Sequence, residues 1–307
     1  MDTPLITVSL GVYNRENTVD RAIKSVLAQT YPHFELVIID NGSTDRSGQI
    51  AEEYAARDAR VRVVHITPNL GPAVRYDMGI ELAKGEFLTY VDDDDVIAPD
   101  FLEFMYGLIQ ENYADISICA CPDRGATGEK LVMANDEALV EMLERKRFNA
   151  RPSAKLYRRC LFKEVRFPTE AGMASDGAAL HKIIAHANCI AFSGIIKYFY
   201  SRHEGMTSGW TKEHSKLTPR ILDEYGAFHS ERTEWLSKRF PERAEQFLYY
   251  ELSFDISMVE KINRYKLTDC QPQLNILVEK LRGYQDIFMR SKWLKDFEKE
   301  WMEQYVL

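Results

Sequence analysis

Over its first 120 residues the chain alternates between two hydrophobic periods, and few architectures accept that order. The short apolar runs "LITVSLGVY", "FELVIID", "VRVVHI", "EFLTYV" and "DISICA" are separated by stretches whose apolar residues recur at helical spacing. In "NTVDRAIKSVLAQ", Val19, Ala22, Ile23, Val26 and Leu27 fall at i, i+3, i+4, i+7 and i+8, the stripe of a helix with one buried face. Repeated strand and helix with short connections predicts right-handed crossovers and a Rossmann-like α/β fold, a mostly parallel central sheet flanked by helices. Pro72 near the start of "GPAVRYDMGIELAKG" and Gly85 just past its end suit helix termini. Ser43 or Thr44 is placed to cap the helix after the turn "NGS".

From Pro122 to Gly172 the alternation weakens into a Gly- and charge-rich loop, a helix around Asp136 to Lys146, and the basic run "KLYRRCLF". A helix, "DGAALHKIIAHA", and two strands, "CIAFSG" and "IIKYFYSRH", follow. Beyond Trp210 the pattern is helical, so residues 1–208 are expected to form the α/β domain and residues 209–307 a helical extension. Near the end, Phe288, Trp293, Phe297, Trp301 and Tyr305 recur at four- and five-residue steps among Arg290, Lys292, Lys295 and Lys299. Such a helical face packs internally, forms a homodimer or docks on an anionic membrane surface.

A hydrophobic fraction of 45% and a charged fraction of 28% are ordinary for a globular protein. The net charge of -8 excludes a general nucleic-acid binder, which needs a basic face. Two local basic clusters, "RKR" at Arg145 to Arg147 and "YRRCLFK" at Tyr157 to Lys163, could meet a phosphate or an anionic membrane, although solvated helix faces are the preferred reading. The five cysteines are odd in number and follow no secretory leader, so a reducing, cytoplasmic compartment is expected. Cys119 and Cys121 have no second Cys/His pair at zinc spacing, and packing explains them. No apolar run reaches eighteen residues.

Open α/β sheets bind ligands beyond the carboxyl ends of their strands. Three polar clusters fall there: "YNRE" after the first strand, "DNGSTD" after the second and "DDDD" at Asp92 to Asp95 after the fourth. Four adjacent carboxylates repel one another, so a cation is called for. Mg²⁺ or Mn²⁺ held by one or two carboxylates and a substrate diphosphate would supply it. The competing reading is a solvated turn whose acids favour the next helix N-terminus.

The segments "SLGVYNRENTVDRAIKSVLAQTYPHFELVIIDNGSTDRS", "NLGPAVRYDMGIELAKGEFLTYVDDDDVI" and "KLYRRCLFKEVRFP" resemble the inverting family 2 glycosyltransferases of the GT-A fold, over residues 4 to 208. The resemblance implies a nucleotide-sugar half at 1–120 and an acceptor half at 121–208. It implies a nucleoside diphosphate sugar donor, UDP-linked, and a hexosyl or N-acetylhexosaminyl transfer to a glycan or lipid-linked glycan at the inner face of a membrane. Tyr13 would stack on the base with Asn14 and Glu16 nearby, Asp40 would bond the base, and Arg75 would contact the donor. Asp92, Asp93 and Asp94 match the DxD motif, with Asp94 as metal ligand, Asp92 on ribose or metal, and Asp95 as the usual extra acid. Residues i and i+2 leaving a strand share a side, so Asp93 should point away from the other two.

Asp176, opening the helix "SDGAALHKII", matches the family's general base and also suits a first-turn acid. Lys155 lies in a recurrent family motif and equally suits a structural ion pair. Arg202 and His203 match a basic region near the diphosphate, His203 being a candidate third metal ligand. Four departures stand out: Gly11 for proline, expected to loosen the first loop; Asn41 for an acid; Tyr76 and Asp77 after Arg75; and Ser175 for the acid before the base. Asn41 and Ser175 keep open a noncatalytic sugar-nucleotide or glycan binder on the same fold.

Overall fold

Each apolar run of the amino-terminal part becomes a strand and each amphipathic run a helix. The computed structural model describes residues 3–168, 175–201 and 213–307, with the backbone alone at positions 124 and 175. Strands β1 (Ile6–Val12), β2 (Phe34–Asp40), β3 (Val61–His65) and β4 (Phe87–Asp92) are linked by helices α1 (Val19–Leu27), α2 (Ser47–Ala55) and α3 (Pro72–Leu82). They pair in parallel in the order β3-β2-β1-β4. β1 is buried on both faces, with Ile6, Val8, Leu10 and Val12 on one side and Thr7 and Ser9 on the other. A central parallel strand therefore reads as a nearly continuous apolar run.

After β4 come β5 (Val96–Ile97), α4 (Phe101–Asn112), β6 (Ile116–Ala120), β7 (Lys130–Met133), α5 (Asn135–Glu144) and β8 (Lys155–Arg158). Then follow α6 (Ser175–His186), β9 (Ile190–Ile196) and β10 (Tyr198–Phe199). Among the described residues the main sheet has eight strands, in the order β3-β2-β1-β4-β8-β6-β9-β7, while β5 and β10 pair separately. β8 enters antiparallel between β4 and β6, and β7 lies antiparallel on β9. The sheet is thus parallel in its first half and mixed in its second.

Several local expectations are corrected. The basic run "KLYRRCLF" is strand β8 followed by a single 3₁₀ turn at Arg159–Phe162, not a helix face. β9 continues through Ile196, because a register shift after Cys119 lets Ala120 pair with Ile196, and β10 keeps two residues only. α3 stops at Leu82, short of Gly85. Gly85 is required for packing instead: a Cβ there would stand 2.6 Å from the Leu5 carbonyl oxygen and 2.7 Å from the Thr7 nitrogen.

The chain divides into two compact units, Met1–Arg202 and His203–Leu307. The second contains α7 (Pro219–Arg239), α8 (Ala244–Arg264), α9 (Gln271–Gly283), α10 (Gln285–Met289) and α11 (Asp296–Tyr305). Leu252, Ile256, Val259, Leu281, Phe288 and Met302 form its core, and Trp293, Trp301 and Tyr305 pack against them. The aromatic repeat is split between α10, a linking segment and α11 rather than carried by one helix, and Phe297 alone of the five is exposed, at 44%. No helix among the described residues is long and apolar enough to cross a membrane.

Candidate active site

The register of the parallel strands brings three polar clusters to one level. Gly11 of β1 lies between Ile39 of β2 and Asp92 of β4, and Val12 lies beside Asp40. The loops beyond these ends interlock through side chains. The Asn14 amide N–H donates to Ser43 Oγ (3.1 Å), and the Thr44 N–H donates to Asn14 Oδ1 (2.8 Å). The Glu16 N–H donates to Asp45 Oδ2 (3.0 Å) while Glu16 Oε2 accepts from the Arg46 N–H (3.1 Å). Asn14 and Glu16, expected near the base, thus tie the first loop to the second. Ser43 and Thr44 serve the same tie, and Arg46 takes the N-cap position of α2.

Asp40 is nearly fully buried and both its oxygens are engaged. Oδ1 accepts from the Ser43 N–H at 3.0 Å, and Oδ2 lies 2.8 Å from His65 Nδ1. Asn41, standing for the family's second acid, holds the loop before α3: its Nδ2 donates to the Gly71 carbonyl (2.8 Å) and its Oδ1 accepts from the Leu70 N–H (3.1 Å). An amide can do both where a carboxylate only accepts. Tyr13 remains 40% exposed beside this crevice.

The four aspartates diverge. Asp93 turns to the first loop, accepting from the Tyr13 N–H at 3.0 Å with Arg15 Nε 3.6 Å away. Asp95 is fully buried and accepts from the Tyr198 hydroxyl and the Ser201 N–H, both at 2.7 Å. Burial pushes Asp93 up to about 6, and burial with the Asp92 charge pushes Asp95 up to about 8. Asp92 and Asp94 face guanidinium groups at greater separation, Arg75 Nη2 at 3.7 Å and Arg15 Nε at 3.9 Å. Burial also raises Asp92, and Arg75 opposes that shift.

Arg75 reaches Asp92 by lying across the backbone of Gly11. A Cβ on Gly11 would stand 2.9 Å from Arg75 Cγ and 3.0 Å from its Cβ. Gly11 therefore belongs to the end of β1 rather than to a loosened loop, and its missing side chain is filled by the arginine stem. Burial opposes the charge on the guanidinium, and Tyr76, Asp92, Asp93 and Asp176 outweigh it, so the group stays charged. Asp176, in the first turn of α6, is pushed up to about 7 by burial and then by the Asp92 charge, against Arg75, Arg151 and Lys155.

Tyr76 and Asp77 also acquire definite contacts. Tyr76 stacks on Phe167 (centroids 4.7 Å apart) and Asp77 Oδ1 accepts from the Phe167 N–H at 2.9 Å. Lys155 is buried and donates to the carbonyls of Arg151 (2.6 Å) and Ser153 (3.4 Å), bracing the chain before β8. Arg202 and His203 lie outside the described residues, as does the side chain of Ser175. Sequence reasoning did not single out Arg15, Arg21, Arg151 or Tyr198. Arg15 sits inside the quoted cluster "YNRE", whereas no spacing signals that Arg21 Nη2 donates to the Asp94 carbonyl at 2.8 Å.

Among the described residues no group of three or more His, Cys, Asp or Glu side chains is arranged as a ready-made metal cage. The donor set nonetheless fits a hard divalent cation. It is all oxygen, and beyond the effect of burial the carboxylates raise one another, Asp94 acting on Asp92, and Asp92 on Asp95 and Asp176. Magnesium-type ions take one or two carboxylates and complete their shell with water and phosphate oxygens.

A mixed α/β sheet with loops converging on an acidic strand end is the GT-A arrangement. Two solved structures share it: S. aureus TarS 1-349 in complex with UDP-GlcNAc (TM-score 0.63, 20% identity, 94% of this chain and 91% of that one), and the Pyrobaculum calidifontis mannosyltransferase PcManGT in complex with GDP-Man and Mn²⁺ (TM-score 0.62, 16% identity, 99% and 85%). The family model "Glycosyl transferase family 2" matches residues 7–183. The chain belongs to that family and is a glycosyltransferase. The glycosyltransferase GlyG of Streptococcus pneumoniae is 32% identical over 218 residues, covering 66% of this chain and 72% of GlyG. The poly(ribitol-phosphate) beta-glucosyltransferase of Bacillus spizizenii is 29% identical over 201 residues, covering 64% of this chain and 32% of its own length. Several other curated relatives are matched over less than half their length.

Proposed function

We propose that the chain transfers a hexosyl or N-acetylhexosaminyl group from a UDP-sugar to a hydroxyl of a glycan or lipid-linked glycan, with inversion at the anomeric carbon. The observation that carries this reading is the electrostatic grouping of Asp92, Asp93, Arg75 and Asp176 at the carboxyl ends of β1 and β4. Tyr13 offers an exposed ring to the base, and Arg75 offers a fixed cation to the donor. Asp176 accepts the proton of the acceptor hydroxyl, for which a value near neutrality is suited. The oxygen then bonds the anomeric carbon from the face opposite the nucleotide, and the bond to the diphosphate breaks.

Asp94, with Asp92, would hold a divalent cation. Once bound, it would neutralise the charge gathering on the departing diphosphate. The neighbouring complexes with UDP-GlcNAc and with GDP-Man and Mn²⁺ support a nucleoside diphosphate sugar and a metal of this kind. The name of the Bacillus spizizenii relative supports a polymer bridged by phosphate as acceptor class.

A thermal-shift comparison of UDP-, GDP- and dTDP-sugars with and without Mn²⁺ tests the donor. At a hundred times its Kd a ligand adds about 2.7 kcal/mol to apparent stability. A UDP-sugar is expected to raise Tm, and more so with Mn²⁺. A rise confined to GDP- or dTDP-sugars would overturn the uridine assignment.

A further inference from the structure

The amino end of the sheet, opposite the acidic crevice, carries a cleft of about 450 Å³ lined by Ile80, Glu81, Glu86, Arg158, Arg159, Cys160, Phe162, Lys163 and Arg166. Its cations are not equivalent. Arg158 is neutralised by Glu86 at 2.9 Å and Asp115 at 3.6 Å. Arg159 instead donates Nε to the Gly85 carbonyl (2.7 Å), and Arg166 donates Nη1 to the carbonyls of Phe162 (2.7 Å) and Val165 (2.9 Å). Carbonyl partners fix a guanidinium without cancelling its charge. Among the described residues neither arginine, nor exposed Lys163, has a carboxylate within 4.0 Å. The other basic cluster differs, since Arg147 is paired with both Glu129 (2.9 Å) and Glu141 (2.7 Å).

We propose that this cleft is an anion site that takes phosphate groups of an extended acceptor. Three cations that have no carboxylate within 4.0 Å among the described residues, gathered in a concavity on a chain of net charge -8, form a local attractor for a polyanion. Planar guanidinium groups match phosphate oxygens in pairs. The concave shape, with Glu81 and Glu86 on its wall, favours a narrow chain entering the cleft over a flat anionic bilayer. β4 runs from beside the cleft to Asp92 in six residues, about 20 Å at 3.3 Å per residue, so one flexible phosphate-bearing polymer can occupy both ends. The acceptor role rests on the proposed transfer reaction, whereas the anion site is measured without donor or metal.

Cys160 supplies the reporter, being exposed in the cleft while Cys119 and Cys270 are buried and Cys121 and Cys189 partly so. The full chain in EDTA is treated with a thiol reagent, with and without tripolyphosphate, and modification of Cys160 is followed by peptide mass spectrometry. Tripolyphosphate is expected to slow the reaction at least fivefold, with protection weakening as salt rises. The slowing, taken as the ratio of rates with and without ligand, should vanish in Arg159→Gln/Lys163→Gln. It should be markedly reduced in Lys163→Glu, which removes no side-chain hydrogen bond or ion pair seen among the described residues. Absence of protection in the wild type, or protection undiminished from the wild type in either variant, overturns the proposal. So does protection by phosphatidylglycerol vesicles that matches or exceeds that of tripolyphosphate, which would assign the surface to a membrane.

Discussion

At Gly11 the absence of one carbon decides where a charge sits. Because the Arg75 stem occupies the space of the missing side chain, Gly11→Ala must push a partly buried arginine away from Asp92. Overpacking of this kind costs about 1–3 kcal/mol. The expected outcome is a lower Tm and a donor Kd weakened about tenfold, read by calorimetry with a UDP-sugar. An unchanged Kd would separate Arg75 from donor binding. The departure from proline was legible in the sequence, but its reason was not, since the partner lies 64 positions away on α3.

His65 is a second case. Its ring touches Asp40 at 2.8 Å and Glu52 at 2.9 Å, and both carboxylates raise its pKa above 6.5. A raised value for a cationic acid means stability fully present below pH 6.5 and lost as pH climbs through the folded-state value. Tm is therefore expected to fall as pH rises above 6.5, and His65→Gln should flatten that part of the profile. With the ring 46% exposed, solvent screening keeps the effect small. A variant profile as steep as the wild type would refute the assignment.

At the scale of elements, α3 ties the acidic strand end to the segment around Phe167. Its first turn is tied to the β2 loop through Asn41 and Gly71, its middle carries Arg75 toward Asp92, and Tyr76 and Asp77 hold Phe167. We read Tyr76 and Asp77 as positioning residues that anchor Phe167, nine positions before Asp176 in the sequence. Losing a partly buried hydrogen bond costs about 0.5–1.5 kcal/mol. Asp77→Ala should lower kcat several-fold and leave the donor Kd unchanged, while Asp77→Asn, which keeps an acceptor oxygen, should restore kcat. Equal loss in both variants would count against the latch. Periodicity announced α3 itself, because Pro72 and the apolar spacing are local, and it announced the parallel strands for the same reason. It missed β7 and misread β8, whose pairing partners are distant and whose four-residue lengths leave little pattern to detect. The terminal aromatic repeat misled for a related cause: the spacing survives the interruption between α10 and α11, but the single helix does not.

For the whole molecule, the fold and the family were legible because strand-end acids and helix termini recur at compatible spacing over residues 7–183. The distribution of labour within the acidic run was not. Strand alternation set Asp93 apart from Asp92 and Asp94, but the partners were not readable: the fold assigns Asp93 to Tyr13, and Asp95 to Tyr198 and Ser201. That assignment relieves part of the repulsion of four adjacent carboxylates, and it leaves Asp92 and Asp94 beside Arg75 and Arg15 at the mouth of the sheet. We propose one site in which these acids meet the nucleotide sugar and Asp176 meets the acceptor.

Release of nucleoside diphosphate from a UDP-sugar, followed alongside nucleotide affinity in the wild type, Asp176→Asn and Asp94→Ala, tests that arrangement most directly. Losing a general base lowers turnover about 10²–10⁴-fold. Asp176→Asn should therefore lose turnover on that scale while binding UDP normally, and Asp94→Ala should lose turnover together with any Mn²⁺-dependent gain in UDP affinity. Wild-type turnover in Asp176→Asn, or an undiminished Mn²⁺-dependent gain in Asp94→Ala, would contradict it.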